Sequence, residues 1–189
     1  MKNIFLILSG SILLFILAVG YDMYAKPQFT PIPTQEQKTE NISLGNVPDF
    51  SFKTIDGKTT SIKELRGKLV IMNFWATWCG TCITEIPDML NLVKYFEGDV
   101  VLLAISSDNK LEDITKFIAK QSDDIIKEIK SSSVYIVLDN NREITHGLFL
   151  TERYPETIIV SPDGEMLRKI IGKFDWASPE IQEYLKNLL

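Results

Sequence analysis

The feature that most constrains this fold is a buried strand followed by a short loop and a helix. Residues 69–75 read Leu-Val-Ile-Met-Asn-Phe-Trp, and only Asn73 interrupts the apolar run. Such a run is typical of a strand covered on both faces, as parallel strands usually are. From residue 79 onwards, apolar side chains recur at helical spacing as far as Phe96. Because parallel strands need a crossover connection, this pattern predicts an α/β fold.

The rest of the chain extends this pattern into a mixed central sheet flanked by helices. Strands are predicted at 100–105, 134–138, 157–160 and 165–171, with helical periodicity at 111–130, a short helix or turn at 142–150 and a terminal helix after Ser178-Pro179. The last two strands flank Ser-Pro-Asp-Gly, which predicts an antiparallel hairpin. Serine as a cap and proline in the first turn favour the start of the terminal helix.

An additional β-hairpin is predicted at the start of the domain. Residues 50–55 alternate between apolar and polar, then meet Asp56-Gly57 and a second short run at 59–61. Asp-Gly is one of the dipeptides that favour a tight hairpin turn.

The sequence of the N-terminal segment predicts a membrane anchor. Residues 4–20 contain 17 residues without a charge, and aromatic residues follow at Tyr21 and Tyr24. We expect residues 1–3 in the cytoplasm and a signal anchor at 4–24, because roughly 17–25 apolar residues suit a spanning helix. A cleaved signal peptide ending near Ala18-Val19-Gly20 is the alternative. Either alternative exports the remainder of the chain.

A flexible linker is predicted at residues 25–46, because this segment has three prolines, many polar residues and no sustained hydrophobic period. The folded domain is expected to cover residues 47–189.

Composition excludes several classes of function. The formal net charge is −5 and the chain has no basic stripe, so we expect no nucleic-acid partner. Two cysteines and one histidine are too few for a closed zinc site or a four-thiolate iron–sulfur cluster. Covalent haem attachment needs histidine directly after Cys-x-x-Cys, where this chain has Ile83. We therefore expect neither a cofactor nor a bound metal.

The spacing of Cys79 and Cys82 favours thiol–disulfide exchange. Cys79 is expected to open the helix, where unpaired backbone N–H groups and the helix dipole stabilise a thiolate and lower the pKa of Cys79. Cys82 follows three residues later on the same face and can attack a mixed disulfide. Trp75 and Trp78 should pack beside the pair. Two buried, inert cysteines are the alternative.

At these residues the sequence resembles the thioredoxin superfamily, and more narrowly the membrane-anchored TlpA/ResA/CcmG-type thiol–disulfide oxidoreductases. The resemblance rests on GKLVIMNFWATWCGTCITEIPDM at 67–89, on Asp56-Gly57 and on YPETIIVSPDGE at 154–165. It covers roughly residues 47–189 and implies a thioredoxin-like fold.

The resemblance also implies roles for single residues. Pro155 matches a proline held in the cis form beside the cysteines, which would aim the Tyr154 backbone at an extended substrate segment. Glu85 matches an acidic residue near the thiols. If it is partly buried, its pKa rises and it can move protons for Cys82. Substrate contacts are expected from Trp78, Gly80, Thr81, Tyr154 and Pro155.

Two positions depart from ordinary thioredoxins. Asn73 stands where those proteins carry a buried aspartate, which leaves Glu85 as the expected proton carrier. The Gly80-Thr81 dipeptide lacks the proline or histidine often found between such cysteines, and the Thr81 hydroxyl is a candidate for stabilising the thiolate.

The implied function is reduction of disulfides in exported proteins, with apocytochrome c in cytochrome c maturation as an expected target. A membrane thiol donor would supply the electrons. The expected location is the cell membrane, with a single span and the catalytic domain in the periplasm or at the cell exterior.

Three other functions stay open at the level of sequence. A Sco-like copper-binding chaperone would use Cys79, Cys82 and His146. A peroxiredoxin-type peroxidase would need a Pro-x-x-x-Thr-x-x-Cys setting, whereas residues 72–79 read MNFWATWC. A non-catalytic binding module would keep the fold without redox cycling.

Overall fold

The computed structural model describes residues 44–189, and all of them belong to one compact unit, Glu40–Leu189. The strands are β1 Ser51–Lys53, β2 Thr59–Ser61, β3 Leu69–Trp75, β4 Val100–Ser106, β5 Val134–Leu138, β6 Glu156–Val160 and β7 Met166–Ile171. The helices are α1 Gly80–Tyr95, α2 Leu111–Ile118, α3 Asp123–Ile129 and α4 Pro179–Lys186, with a 3₁₀ turn at Ile62–Leu65 and a π-helix at Glu143–Leu148.

The predicted anchor at 4–24 and nearly all of the predicted linker at 25–46 lie outside the described residues. Across residues 44–189, every helix is too short or too polar to span a bilayer. The last residues of the predicted linker contact the domain. The Leu44 N–H donates to the Met166 carbonyl, and the Met166 N–H donates to Gly45.

The central sheet has the strand order β5-β4-β3-β6-β7. β4 pairs in parallel with both β3 and β5, whereas β6 pairs antiparallel with β3 and β7. The predicted mixed sheet flanked by helices is therefore confirmed.

The segment before this sheet forms a two-stranded ribbon. β1 and β2 pair antiparallel, with Phe52 opposite Thr60. Beyond β1, Thr54 bridges to Val137 of β5, and the Ile55 N–H donates to the Ile136 carbonyl. These bonds attach the ribbon to the β5 edge of the central sheet.

Two apolar cores lie on opposite faces of the sheet, because successive side chains of a strand point to opposite sides. Leu69, Ile71 and Trp75 of β3 face a core that α1 and α4 complete. Val70, Met72 and Phe74 face a core that the β1–β2 ribbon completes. All seven residues of β3 are buried, as the apolar run predicted.

The helical region predicted at 111–130 is divided into α2 and α3. The Gln121 side chain donates to the Phe117 carbonyl, and the chain restarts at Ser122 with Asp123 and Asp124 in the first turn of α3. Acidic residues are favourable there because they face the positive end of the helix dipole. α1, by contrast, is not divided: it is a single helix that continues through Pro87.

Strand directions determine which loops meet at the edge of the sheet. The carboxyl ends of the parallel strands β3 and β4 lie at one edge, with Trp75 opposite Ser106. β6 runs the other way, and its first residue, Glu156, pairs with Phe74. The segment that precedes β6 therefore lies beside the segment that follows β3.

Candidate active site

A disulfide bond joins Cys79 and Cys82, whose Cα atoms lie 5.3 Å apart. Cys79 is the N-cap residue of α1, and its Sγ accepts a hydrogen bond from the Cys82 N–H at 3.3 Å. The sulfur thus takes the place of a capping oxygen at an otherwise unpaired helix N–H group. A thiolate at this sulfur would be stabilised by the same N–H group and by the helix dipole.

The two sulfur-bearing residues differ in exposure. Cys79 is 8% exposed and Cys82 only 2% exposed, so an incoming molecule reaches Cys79 first. The Thr81 hydroxyl lies 3.5 Å from the Cys79 Sγ. At the exposed Gly80, an added Cβ would have no heavy atom within 4 Å.

A second wall of the site comes from the segment before β6. The Tyr154–Pro155 peptide bond is cis. The Tyr154 ring packs edge-on against Trp78, with centroids 5.5 Å apart, while Trp78 remains 60% exposed. The Pro155 carbonyl accepts from the Gly172 N–H at 2.8 Å. Within residues 44–189, the backbone N–H and carbonyl of Tyr154 make no hydrogen bond.

Glu85 is buried in the second turn of α1, with 3% of its surface exposed. Its carboxylate accepts hydrogen bonds from the Phe174 N–H and from the Trp176 Nε1–H. Burial raises the pKa of the Glu85 carboxyl above its ordinary value; the two hydrogen bonds and Lys173 oppose that rise. Among the described residues, the carboxylate has no hydrogen bond to either cysteine. Its role as proton carrier stays a prediction.

Behind the disulfide, β3 contributes Asn73 and Trp75. The buried Asn73 Nδ2 donates to the Thr157 Oγ1 of β6 at 2.9 Å, so an amide–hydroxyl pair occupies the place of the aspartate. Trp75 is 1% exposed and packs against Phe117 at 5.4 Å. Trp75 therefore fills the core, and Trp78 is the tryptophan that an incoming molecule can contact.

A buried polar cluster that holds the disulfide turn was not predicted from the sequence. Asp108, the second residue after β4, accepts hydrogen bonds from the backbone N–H and the hydroxyl of Thr77. The available signal was the run Ser106-Ser107-Asp108 at the carboxyl end of a buried strand, where ligand-binding residues of α/β sheets tend to lie.

The copper site considered above is not supported by the structure. His146 lies on the exposed surface of the π-helix. Among residues 44–189, no three His, Cys, Asp or Glu side chains are grouped so as to hold a metal ion. Cys79, Cys82 and His146 therefore do not converge as that hypothesis required.

The AhpC/TSA family profile matches residues 45–169. The chain belongs to this family. The chain is 30% identical to the thiol-disulfide oxidoreductase ResA of Bacillus cereus (strain ATCC 10987), over 98% of the chain and 92% of the relative. It is 29% identical to ResA of Bacillus subtilis (strain 168), over 90% of the chain and 87% of the relative.

Solved structures agree on the fold of this family member. A thiol:disulfide interchange protein of the thioredoxin family from Chlorobium tepidum TLS superposes with a TM-score of 0.60 at 23% identity, covering 76% of this chain and 95% of that one. The exposed lipoprotein thioredoxin of Streptococcus pneumoniae strain TIGR4 gives 0.60 at 22% identity, covering 75% and 100%. The predicted thioredoxin-like fold and thiol–disulfide oxidoreductase class are confirmed.

Proposed function

We propose that this chain reduces disulfides of exported proteins outside the cytoplasm. The observation that carries the proposal is a redox-capable cysteine at the N-cap of α1, next in sequence to the exposed Trp78, whose ring packs against Tyr154 of the cis Tyr154–Pro155 bond. This arrangement supplies a sulfur at a helix N-terminus, a second sulfur within bonding distance and a surface for a polypeptide.

The reaction begins from the dithiol form of the pair. The Cys79 thiolate attacks one sulfur of the partner's disulfide, so a Cys79–partner bond forms and the partner's S–S bond breaks. The released partner thiolate takes up a proton. Cys82, deprotonated, then attacks the Cys79 sulfur and releases the second partner thiolate, which is also protonated. The partner has gained two electrons, and the pair has become the Cys79–Cys82 disulfide.

Residues around the pair have separate roles in this reaction. The Cys82 N–H and the Thr81 hydroxyl stabilise the Cys79 thiolate. An extended substrate segment pairs with the free backbone of Tyr154 and contacts Trp78 and Gly80, in the manner of an added β-strand. Glu85, one turn beyond Cys82 in α1, accepts the proton of the Cys82 thiol.

The chain acts from the membrane surface. The apolar segment at 4–24 anchors it, and the linker at 25–46 lets the domain reach its substrates. Similarity to ResA of Bacillus cereus along nearly the whole chain supports a common arrangement. Because exported compartments are often oxidising, net reduction requires a dedicated donor, for which we propose a membrane thiol protein. Apocytochrome c cysteines are the proposed target.

A trapping experiment tests the reaction. In the full-length chain, Cys82→Ser should accumulate a mixed disulfide with its partner, because the resolving sulfur is gone. Cys79→Ser should form none and should lose insulin-disulfide reduction. Undiminished reduction by the Cys79→Ser variant would contradict the mechanism. Oxidised Cys-x-x-Cys-His peptide is the substrate probe for the cytochrome c assignment, and failure to reduce it would remove that target alone.

The same two cysteines test the location. Since they are the only thiols in the chain, a membrane-impermeant maleimide reports on them alone. After mild reduction of intact cells, we expect the chain to be labelled without lysis. Labelling that appears only after lysis would place the domain in the cytoplasm and refute this part of the proposal.

The peroxidase and copper-chaperone functions have less support. Although the chain belongs to the AhpC/TSA family, residues 72–79 have neither the leading proline of the peroxidase pattern nor a threonine three residues before the cysteine. The copper function lacks a converging ligand set among residues 44–189.

A further inference from the structure

We propose that Asp108 is a positioning residue for the disulfide turn, and that the segment Ser106–Asp108 fixes this turn relative to Tyr154. The inference rests on the proposed function and adds a residue that acts through Thr77 rather than by touching substrate.

The first observation is a two-point attachment of the turn. Residues 76–79 form a turn in which the Cys79 N–H donates to the Ala76 carbonyl at 3.1 Å. Thr77, inside that turn, donates its N–H to Asp108 Oδ2 at 3.0 Å and its hydroxyl to Asp108 Oδ1 at 2.7 Å. Two bonds to one carboxylate restrain both the position and the rotation of the turn that carries Trp78 and Cys79.

The second observation is that the carboxylate itself is held rigidly. Asp108 is 1% exposed. The Ser106 hydroxyl donates to Asp108 Oδ2 at 2.6 Å, and the Asp108 N–H donates back to the Ser106 Oγ at 3.1 Å. Ser106 is the last residue of β4, and the following Ser107 N–H donates to the Trp75 carbonyl at 2.9 Å. The sheet therefore anchors the carboxylate.

The third observation links the same segment to the opposite wall of the site. The Tyr154 hydroxyl donates to Ser107 Oγ at 2.8 Å, and Ser107 donates to Thr145 Oγ1 at 3.3 Å. Thr145 in turn donates both its N–H and its hydroxyl to Asp139 at 2.7 Å. Neighbouring residues of one buried segment thus hold the turn that bears Trp78 and the side chain of Tyr154.

This geometry should affect the reduction of protein disulfides more than the reduction of small disulfides. A protein disulfide contacts the Cys79 sulfur, Trp78 and the Tyr154 backbone together, so its reaction depends on how the two walls are spaced. Productive alignment of several contacts is lost through displacements of about 1 Å. A small aromatic disulfide such as DTNB needs only the sulfur. Loosening the turn should therefore slow protein-disulfide reduction more than DTNB reduction.

Thr77→Val in the full-length chain is the primary test, since it removes the hydroxyl bond but leaves the N–H bond and the carboxylate. We expect about a tenfold fall in kcat/KM for insulin, the size expected for loss of one hydrogen bond to a charged group, with DTNB reduction retained. Thr77→Ser keeps both bonds and should restore the insulin rate. Asp108→Asn should show the same selective loss, because an amide has one acceptor oxygen in place of two.

Thr54→Val is the matched control. Thr54 is buried, whereas Thr77 is half-buried, and the Thr54 hydroxyl contacts Asp56 Oδ1 and the Lys58 carbonyl in the β1–β2 loop, away from the cysteines. It should leave both rates unchanged. Equal insulin rates for Thr77→Val and Thr54→Val would overturn the inference, as would equal losses with insulin and DTNB. A wild-type chain that cannot reduce insulin would instead refute the proposed function, and the inference with it.

Discussion

Replacing Glu85 by glutamine tests how the buried carboxylate is held in α1. A glutamine of the same shape offers one carbonyl oxygen, whereas the carboxylate accepts from both the Phe174 N–H and the Trp176 indole. One of these donors would lose its acceptor in a nearly water-free site, which costs about 1–3 kcal/mol of unfolding free energy. At acid pH Glu85 is uncharged in both states, but its hydroxyl oxygen still accepts a hydrogen bond, which the NH₂ group of glutamine cannot do. We therefore expect the variant to be less stable by this amount at acid pH.

The difference in unfolding free energy between the wild type and Glu85→Gln should then change with pH in a defined direction. Burial raises the pKa of Glu85 in the folded protein above 4.5, its ordinary value. Between the unfolded and folded pKa values the native state binds a proton that the unfolded state has released. Wild-type stability therefore falls with rising pH at up to about 1.4 kcal/mol per pH unit relative to the variant. The stability gap should narrow above pH 4.5 and become constant once Glu85 ionises in the folded protein.

Urea unfolding of the oxidised full-length chain in detergent, followed by tryptophan fluorescence from pH 4 to pH 8, measures this gap. Glu183→Gln is the control, because it makes the same chemical change at an exposed position of α4. A gap that widens with pH would refute the reasoning. It would mean that the hydrogen bonds from Phe174 and Trp176, together with Lys173, outweigh burial and lower the pKa instead.

Two further substitutions test the surroundings of the site. Thr157→Val should destabilise the domain by about 1–3 kcal/mol, because it leaves the buried Asn73 amide without its acceptor; a loss below the error of urea unfolding would contradict the hydrogen bond between β3 and β6. Gly164→Ala should lower the free energy of unfolding by about 1–2 kcal/mol, because Gly164 has φ +82, where a Cβ is strained. Adding Arg66→Ala should not restore stability, since the Arg66 guanidinium over Gly164 is flexible. Full rescue by Arg66→Ala would show that the contact with Arg66, and not the backbone conformation, causes the loss.

The parts of the site that sequence could predict are those built from neighbours along the chain. An apolar strand, a short loop and a helix that starts at Cys79 place the sulfur at a helix terminus, whatever else the fold contains. The capping bond from the Cys82 N–H follows from that placement. The same locality explains why the strands at 69–75 and 134–138 were predicted correctly.

Other parts depend on residues distant in the chain, and these could not be predicted. The role of Glu85 toward the thiols stays a prediction, but the donors that hold its carboxylate, Phe174 and Trp176, were not predicted, because they come from the loop after β7. Nothing in the local sequence states where a helical carboxylate finds its donors. The attachment of Thr77 to Asp108 was missed for the same reason, since it joins the ends of two different strands.

The sequence by itself determined a cysteine pair at the start of a helix, because strand, turn and helix follow from side-chain patterns within a few residues. Only the tertiary structure decided what surrounds that pair. β6 runs antiparallel beside β3, which brings Tyr154 against Trp78, and β4 ends where its buried serines and aspartate can hold both. Such contacts depend on the register and direction of strand pairing, which short-range patterns do not specify.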